Sequence, residues 1–281
     1  MSDTSPPSFT KSLLSSPEVA GLYERATQNE FLALAGQGRL PRHELAMWLS
    51  QDRLYCQAYA RFIGGLISRV QLPQEPGTGA GTSISDSLEW RILKVLRDAL
   101  VGMMVELRFF EDTARDYGID LQTVGCKMES QALGFGPNKV TREYIELFDS
   151  FTAGKTTTTT AAAAATDGSA SPRPDKSLFE GLLVLWATEQ AYFEAWSYAK
   201  RQQYPADRDP AQDLDGGALR TRLIDNWTSD AFRVFVVELT ACLEDLAAAQ
   251  RDDTREVLLA NSLTVVRKVL VLEEGFWPVV A

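Results

Sequence analysis

Apolar residues recur every three or four positions along several long segments of the chain, which is the spacing of one face of an α-helix. The periodic segments are residues 42–70, 88–117, 139–152, 177–203, 218–249 and 253–277. Ser87 is a suitable N-cap for the second segment, and Gly118 follows its last periodic residue, as at many helix ends. No sustained alternation of apolar and polar residues predicts a strand. The pattern therefore predicts an all-α protein built as a helical bundle.

Two stretches lack an apolar face. Residues 1–15 are rich in Ser and Pro and predict a flexible arm. Residues 154–176, with the sequence GKTTTTTAAAAATDGSASPRPDK, are low in complexity and predict a disordered insertion. Because the helical segments on either side of this insertion are similar in character, we expect one helical domain over residues 16–281 that the insertion interrupts.

The charge balance narrows the class of partner. The chain has 28 Lys and Arg residues against 38 Asp and Glu residues, a formal net charge of −10, whereas nucleic-acid-binding proteins gain affinity from basic side chains. No apolar run approaches the roughly 18 to 20 residues of a membrane span, and residues 1–7 have no signal-peptide character. We therefore expect a cytoplasmic protein with no nucleic-acid partner and no membrane partner.

The cysteines and the single histidine restrict the possible chemistry. Cys56, Cys126 and Cys242 are too few and too far apart to indicate a disulfide framework or a zinc site. His43 follows a turn at the start of a predicted helix and is interpreted as solvated, and one histidine cannot supply the paired ligands of a dinuclear iron site. We expect no cofactor and no metal. Cys56 is interpreted as a small packing residue, with a nucleophile as the alternative.

Four acidic residues fall on helix faces that are otherwise apolar or aromatic. They are Asp52, Glu106, Glu189 and Glu273, each in a different predicted helix. Burying an ionised carboxylate costs several kcal/mol unless a partner compensates it, so such positions indicate a function. The alternative is that long helices contain many acids, of which one falls on the apolar face or lies at the bundle end beside an Arg.

Aromatic residues lie three, four or seven positions from these acids on the same faces. They are Tyr55 and Tyr59 near Asp52, Phe110 near Glu106, Tyr192 and Trp196 near Glu189, and Phe276 and Trp277 near Glu273. Planar side chains with carboxylates between them suit a flat, nitrogen-bearing ring that stacks on its faces and forms hydrogen bonds at its edges. An ordinary aromatic core would contain similar aromatic positions, and the acids favour the pocket.

Two motifs resemble those of the TenA/THI-4 family. Residues 51–55, QDRLY, match its QDxxY motif, and residues 273–277, EEGFW, match its ExxFW motif near the C-terminus. Asn226 and Trp227 followed by Phe232 are similar to a Trp and Phe segment of that family. QDxxY alone is a weak signal, whereas the two motifs at this separation in an all-α chain are fairly specific. The resemblance extends from about residue 16 to residue 277, apart from the insertion.

The resemblance implies a haem-oxygenase-like helical bundle that forms a homo-oligomer, a dimer or a tetramer. It implies hydrolysis of aminopyrimidine breakdown products of thiamine, with an amino- or formylamino-methylpyrimidine as the small-molecule substrate. It also implies that Asp52 contacts the ring nitrogen and the exocyclic amine, that Tyr55 lines the pocket and that Glu273 transfers the proton. We accordingly expect Asp52, Tyr55, Glu189 and Glu273 to line one cavity.

The chain departs from the family at two positions. Many members have a catalytic cysteine in a PCxxxY motif, where this chain has Thr188 four residues before Tyr192, and a family tyrosine after Trp227 is absent. The chain resembles the branch without that cysteine, in which Glu189 is the substitute. Which carboxylate acts as the acid and which as the base stays open. The alternatives are a non-catalytic pyrimidine-binding or scaffold protein and a metal–carboxylate oxygenase.

Overall fold

The computed structural model describes residues 8–75, 83–122, 135–152, 176–203, 209–249 and 255–280. Within these ranges the chain is helical and contains no strand, which confirms the all-α prediction. The helices are α1 Phe9–Ser15, α2 Ala20–Thr27, α3 Glu30–Gly36, α4 Arg42–Ile67, α5 Leu88–Tyr117, α6 Lys139–Asp149, α7 Leu178–Arg201, α8 Ile224–Trp227, α9 Asp230–Ala248 and α10 Arg255–Phe276. None of these helices is both long enough and apolar enough to cross a membrane.

Local signals set the ends of the long helices. The Ser87 hydroxyl accepts a hydrogen bond from the Trp90 amide at 3.1 Å at the start of α5, and Gly118 ends that helix with a φ of 63°. The helix predicted over 218–249 is instead divided in two. A π-helical turn at Leu219–Leu223 leads into α8, and Ser229 begins α9 by accepting from the Phe232 amide at 3.3 Å. The serine cap explains the division, because it supplies an acceptor for free amides.

Residues 8–15 differ from the expected flexible arm, and that prediction is wrong for this part of the chain. They form α1, whose Phe9 and Leu13 side chains are buried. The Glu244 carboxylate of α9 accepts hydrogen bonds from the Phe9 and Thr10 amides at 2.9 and 2.8 Å, which satisfies donors of the first helical turn. The rest of the arm, nearly all of the predicted insertion and Cys126 lie outside the described residues.

Tryptophan side chains from different helices meet in the core. Trp48 of α4 stacks on Trp277 with ring centroids 5.6 Å apart, and Trp196 of α7 packs against Trp227 at 4.3 Å. Around them, α4 packs on α5 and α6, while α7 packs on α9 and α10. This arrangement turns the acid-bearing faces of α4, α5 and α7 toward one another.

Candidate active site

A cavity of about 370 Å³ lies between α4, α5 and α7, and the end of α8 together with the first turns of α9 completes its wall. Six of the expected site residues line it: Asp52, Tyr55, Tyr59, Glu106, Glu189 and Tyr192. Among the described residues that line this cavity there is no Lys, Arg or His. Its size lies in the range of small-molecule sites, and its walls are acidic and aromatic.

Two of the acids are held by phenols. The Tyr192 hydroxyl donates to Asp52 Oδ2 at 3.3 Å, and the Tyr59 hydroxyl donates to Glu189 Oε1. Burial raises the pKa of Glu189 to about 7, although the hydrogen bond from Tyr59 opposes that change. Burial and the negative charge of Glu106 raise the pKa of Asp52 well above its usual value. Glu189 therefore exchanges protons at neutral pH, as a general acid or base must.

Glu106 is held by nitrogen donors instead. Trp227 Nε1 donates to its Oε1 at 2.5 Å, and Asn226 Nδ2 donates to its Oε2 at 3.1 Å. Burial raises the pKa of Glu106, and these two hydrogen bonds oppose the increase. Asn226, Trp227 and Phe232 also line the cavity, although the sequence indicated them only as a segment similar to one of the TenA/THI-4 family and not as site residues. That resemblance is the signal that would have found them, and their hydrogen bonds to Glu106 hold the end of α8 against α5.

Glu273 does not line the cavity, so the expectation of one cavity shared with Asp52 is wrong for this residue. Its Oε1 accepts a hydrogen bond from the Tyr144 hydroxyl at 2.5 Å, and the Tyr144 ring meets the Tyr55 ring edge-on at 5.0 Å between centroids. Tyr144 and Tyr55 thus link Glu273 to the cavity. The reason is the packing of α10, which contacts α2, α6 and α7 and faces its acid toward α6.

Three predicted substrate contacts also lie outside the lining, and each packs behind an aromatic residue that does line the cavity. Phe110 and Trp196 lie against Trp227, with centroid distances of 6.2 and 4.3 Å. Phe276 lies against Tyr55 at 5.6 Å. Helical periodicity placed these residues on the correct faces, but it does not separate the layer that touches a ligand from the layer behind it.

Comparison with solved structures identifies the architecture. The chain matches a TenA homologue from Pyrococcus furiosus with a TM-score of 0.64 and 18% identity, over 96% of this chain and 98% of that one. It matches a structure described as a TenA family transcription regulator from Silicibacter sp. with a TM-score of 0.64 and 13% identity, over 99% and 97% of the two chains. The chain has the TenA fold. This is the predicted haem-oxygenase-like helical bundle, and identities this low show the fold alone.

Sequence comparison adds one curated relative. A protein of Fusarium pseudograminearum named a probable transcription factor is 28% identical over 271 residues. The alignment covers 87% of this chain but 46% of that protein, so the chain spans about half the length of the relative it matches. No protein-family model matches the chain.

Within the TenA fold, Cys56 has a different position from the one expected. It lines the cavity, and its thiol is surrounded by carboxylates. Burial and the negative charges of Asp52, Glu106 and Glu189 raise the pKa of this thiol well above 9. The thiolate is the nucleophilic form of cysteine, so a thiol held protonated is poorly suited to attack a substrate. The position therefore disfavours Cys56 as a replacement nucleophile.

The raised pKa values of two buried glutamates, Glu189 and Glu273, make the stability of the TenA-fold bundle depend on pH. Burial raises the pKa of Glu189 from 4.5 to about 7 and that of Glu273 from 4.5 to about 8. Between the ordinary pKa of 4.5 and these raised values, the folded protein retains protons that the unfolded chain releases. The free energy of unfolding therefore decreases as the pH rises through this range. We expect the melting temperature to fall steadily from about pH 5 to about pH 9.

Glu273→Gln tests this dependence, because the neutral amide mimics the protonated acid and still accepts the Tyr144 hydrogen bond. The variant is expected to show a smaller decline and to melt above the unaltered protein at high pH, as measured by circular dichroism. Glu274→Gln is the matched control, since the Glu274 side chain is 35% exposed and pairs with Arg25. If melting temperature plotted against pH gives parallel curves for Glu273→Gln and the unaltered protein, the contribution assigned to Glu273 is contradicted.

Proposed function

We propose that the chain is a TenA-like hydrolase that replaces the amino group on the methyl arm of an aminopyrimidine with a hydroxyl group, in thiamine salvage. The observation that supports this function is a cavity in which four carboxylates, those of Asp52, Asp98, Glu106 and Glu189, lie among aromatic rings and no described lining side chain is basic. An aminopyrimidine ring presents flat faces for stacking, and its amidine-like edge donates N–H groups to a carboxylate.

The cavity residues have separate roles in the proposed reaction. Asp52 holds the amidine-like edge of the pyrimidine ring, while the aromatic rings of Tyr55 and Tyr192 pack on the faces of the pyrimidine. Glu189 takes a proton from water as the water oxygen forms a bond to the arm carbon. The arm nitrogen enters as an ammonium group. The C–N bond breaks, its electron pair leaves on the nitrogen as ammonia, and that ammonia takes up the proton that Glu189 accepted from water. Glu273 is a positioning residue in this scheme, because it acts through Tyr144.

Product release from defined substrates tests the proposal. Purified protein is incubated with 4-amino-5-aminomethylpyrimidine, and the ammonia released is measured. With the N-formyl derivative, formate is measured instead, because formate is released when water attacks the formyl carbon and the amide C–N bond breaks. We expect steady release that is lost in Asp52→Asn, since the amide no longer offers a negative charge to the ring edge. Binding without turnover would instead support the non-catalytic pyrimidine-binding protein. Absence of both binding and turnover would reject the proposal.

The remaining parts of the proposal concern assembly and partners. We propose that the chain acts in the cytoplasm as a homo-oligomer, a dimer or a tetramer. The transcription-factor name of the Fusarium relative belongs to a protein about twice as long. A net charge of −10 disfavours the phosphate neutralisation on which DNA binding depends, so we do not extend that name to this chain.

A further inference from the structure

We infer that Glu106 is the receptor for a second positively charged group on the ligand, so that the cavity selects a pyrimidine whose arm ends in a free primary ammonium. This inference rests on the proposed function, which assigns the first charged contact, at the ring edge, to Asp52. It adds a preference between the two substrate candidates, because the N-formyl derivative carries a neutral amide in place of the ammonium.

The geometry of Glu106 is that of a fixed acceptor. Consecutive residues at the end of α8 hold its two oxygens, through Trp227 Nε1 at 2.5 Å and Asn226 Nδ2 at 3.1 Å. A carboxylate offers about four lone-pair sites, so these two bonds orient the group and leave acceptor capacity for a ligand. The carboxylate is therefore positioned before a ligand arrives.

The donors that hold Glu106 satisfy its hydrogen bonds but not its charge. Both Asn226 and Trp227 are neutral, and the described residues that line the cavity include no Lys, Arg or His. A carboxylate that is partly removed from water and has no countercharge is destabilising, so a cation that enters gains the interaction that the protein does not supply. Asp98, another acid of the lining, differs because Arg97 pairs with it at 2.6 Å.

Glu106 also lies on a different helix from Asp52, the residue proposed to contact the ring edge. Asp52 is buried and bonded to Tyr192 on α7, whereas Glu106 is half-buried and belongs to α5. Their negative charges nevertheless act on each other, because Glu106 contributes to the raised pKa of Asp52. A ligand with one cationic group at Asp52 leaves the charge of Glu106 uncompensated. A ligand with two cationic groups compensates both carboxylates.

Three probe ligands test the inference without altering the protein. They are 4-amino-5-aminomethylpyrimidine, its N-formyl derivative and 4-amino-5-methylpyrimidine, which share the ring edge and differ in the arm. Rapid-mixing tryptophan fluorescence measures binding before turnover, since Trp227 lines the cavity. We expect the aminomethyl compound to bind about 10- to 100-fold more tightly than the other two, as for a hydrogen bond to a charged group.

Glu106→Gln then identifies the receptor. Glutamine keeps the side-chain length and an acceptor for Trp227, and the Asn226 amide can rotate to present its oxygen. The variant is expected to bind all three probes with the affinity that the unaltered protein shows for the methyl compound. Glu111→Gln, an exposed position farther along α5, is the matched control and should retain the preference.

The possible outcomes separate the two proposals. If none of the three pyrimidines binds, the proposed function itself fails. If all three bind the unaltered protein with similar dissociation constants, the second-charge assignment is overturned while the proposed function stands. The second-charge assignment is also overturned if Glu106→Gln weakens every probe by the same factor, because the residue would then have a purely structural role.

Discussion

Replacing Glu189 with glutamine is expected to lower kcat for aminopyrimidine hydrolysis by about 100-fold or more, a usual magnitude for the loss of a general acid or base. Glu189 lines the cavity, accepts a hydrogen bond from Tyr59 and has a pKa raised to about 7 by burial. Glutamine preserves the size and the acceptor but cannot take a proton from water. The loss is therefore expected in kcat much more than in KM.

Steady-state kinetics across the pH range check this result. The unaltered protein is expected to show an activity limb near pH 7, where Glu189 titrates, and the variant is expected to lack that limb. Glu194→Gln is a suitable control, because Glu194 lies on the same helix, outside the cavity lining, and pairs with Arg201. Unchanged kcat in Glu189→Gln would remove this residue from the mechanism.

Replacing Arg220 with alanine is expected to lower the free energy of unfolding by about 3–5 kcal/mol, the usual loss when one partner of a buried ion pair is removed. Arg220 donates from Nε and from its second terminal nitrogen to the two Asp213 oxygens, at 2.6 and 2.8 Å. The Asp213 side chain is fully buried and that of Arg220 is 7% exposed. Gly38, at a φ of 66°, makes room for Asp213, because a Cβ there would lie 2.2 Å from its Oδ1.

Arg222→Ala provides the matched comparison within the same π-helical turn. Arg222 pairs with Asp116 at 3.2 Å, but its side chain is 37% exposed and that of Asp116 is 49% exposed. Exposed pairs contribute about 0–1 kcal/mol, so this variant should unfold almost as the unaltered protein does. Urea denaturation of both variants measures the difference. Equal, small losses would show that the buried pair is dispensable.

The fold was predictable because each long helix carries its own periodic face and its own end signals. Ser87 and Gly118 bound α5 at the positions that the sequence indicates. The first helix has only a weak local signal, a hydrogen bond of 3.5 Å from the Lys11 amide to Ser8 Oγ. The carboxylate that accepts from its first amides belongs to Glu244, more than 230 residues away. Local pattern carries no information about such a distant acceptor.

The candidate site was predictable to the level of helix faces. Asp52, Glu106 and Glu189 share a cavity because α4, α5 and α7 surround it with these faces inward. Periodicity fixes the rotation of a residue about its own helix, but not the helix that it meets. Glu273 shows this limit, because α10 faces α6 and its acid meets Tyr144 one aromatic layer from the cavity.

The burial of the cavity carboxyl groups makes ligand entry an exchange of protons for a cation. A carboxyl such as Glu189, with a pKa near 7, holds a proton part of the time while the cavity is empty. An arriving cation favours the ionised form, so protons leave for the solvent as the ligand enters. The affinity for a cationic ligand should therefore increase with pH through neutrality. In this respect the cavity resembles a weak-acid cation exchanger on the scale of one molecule.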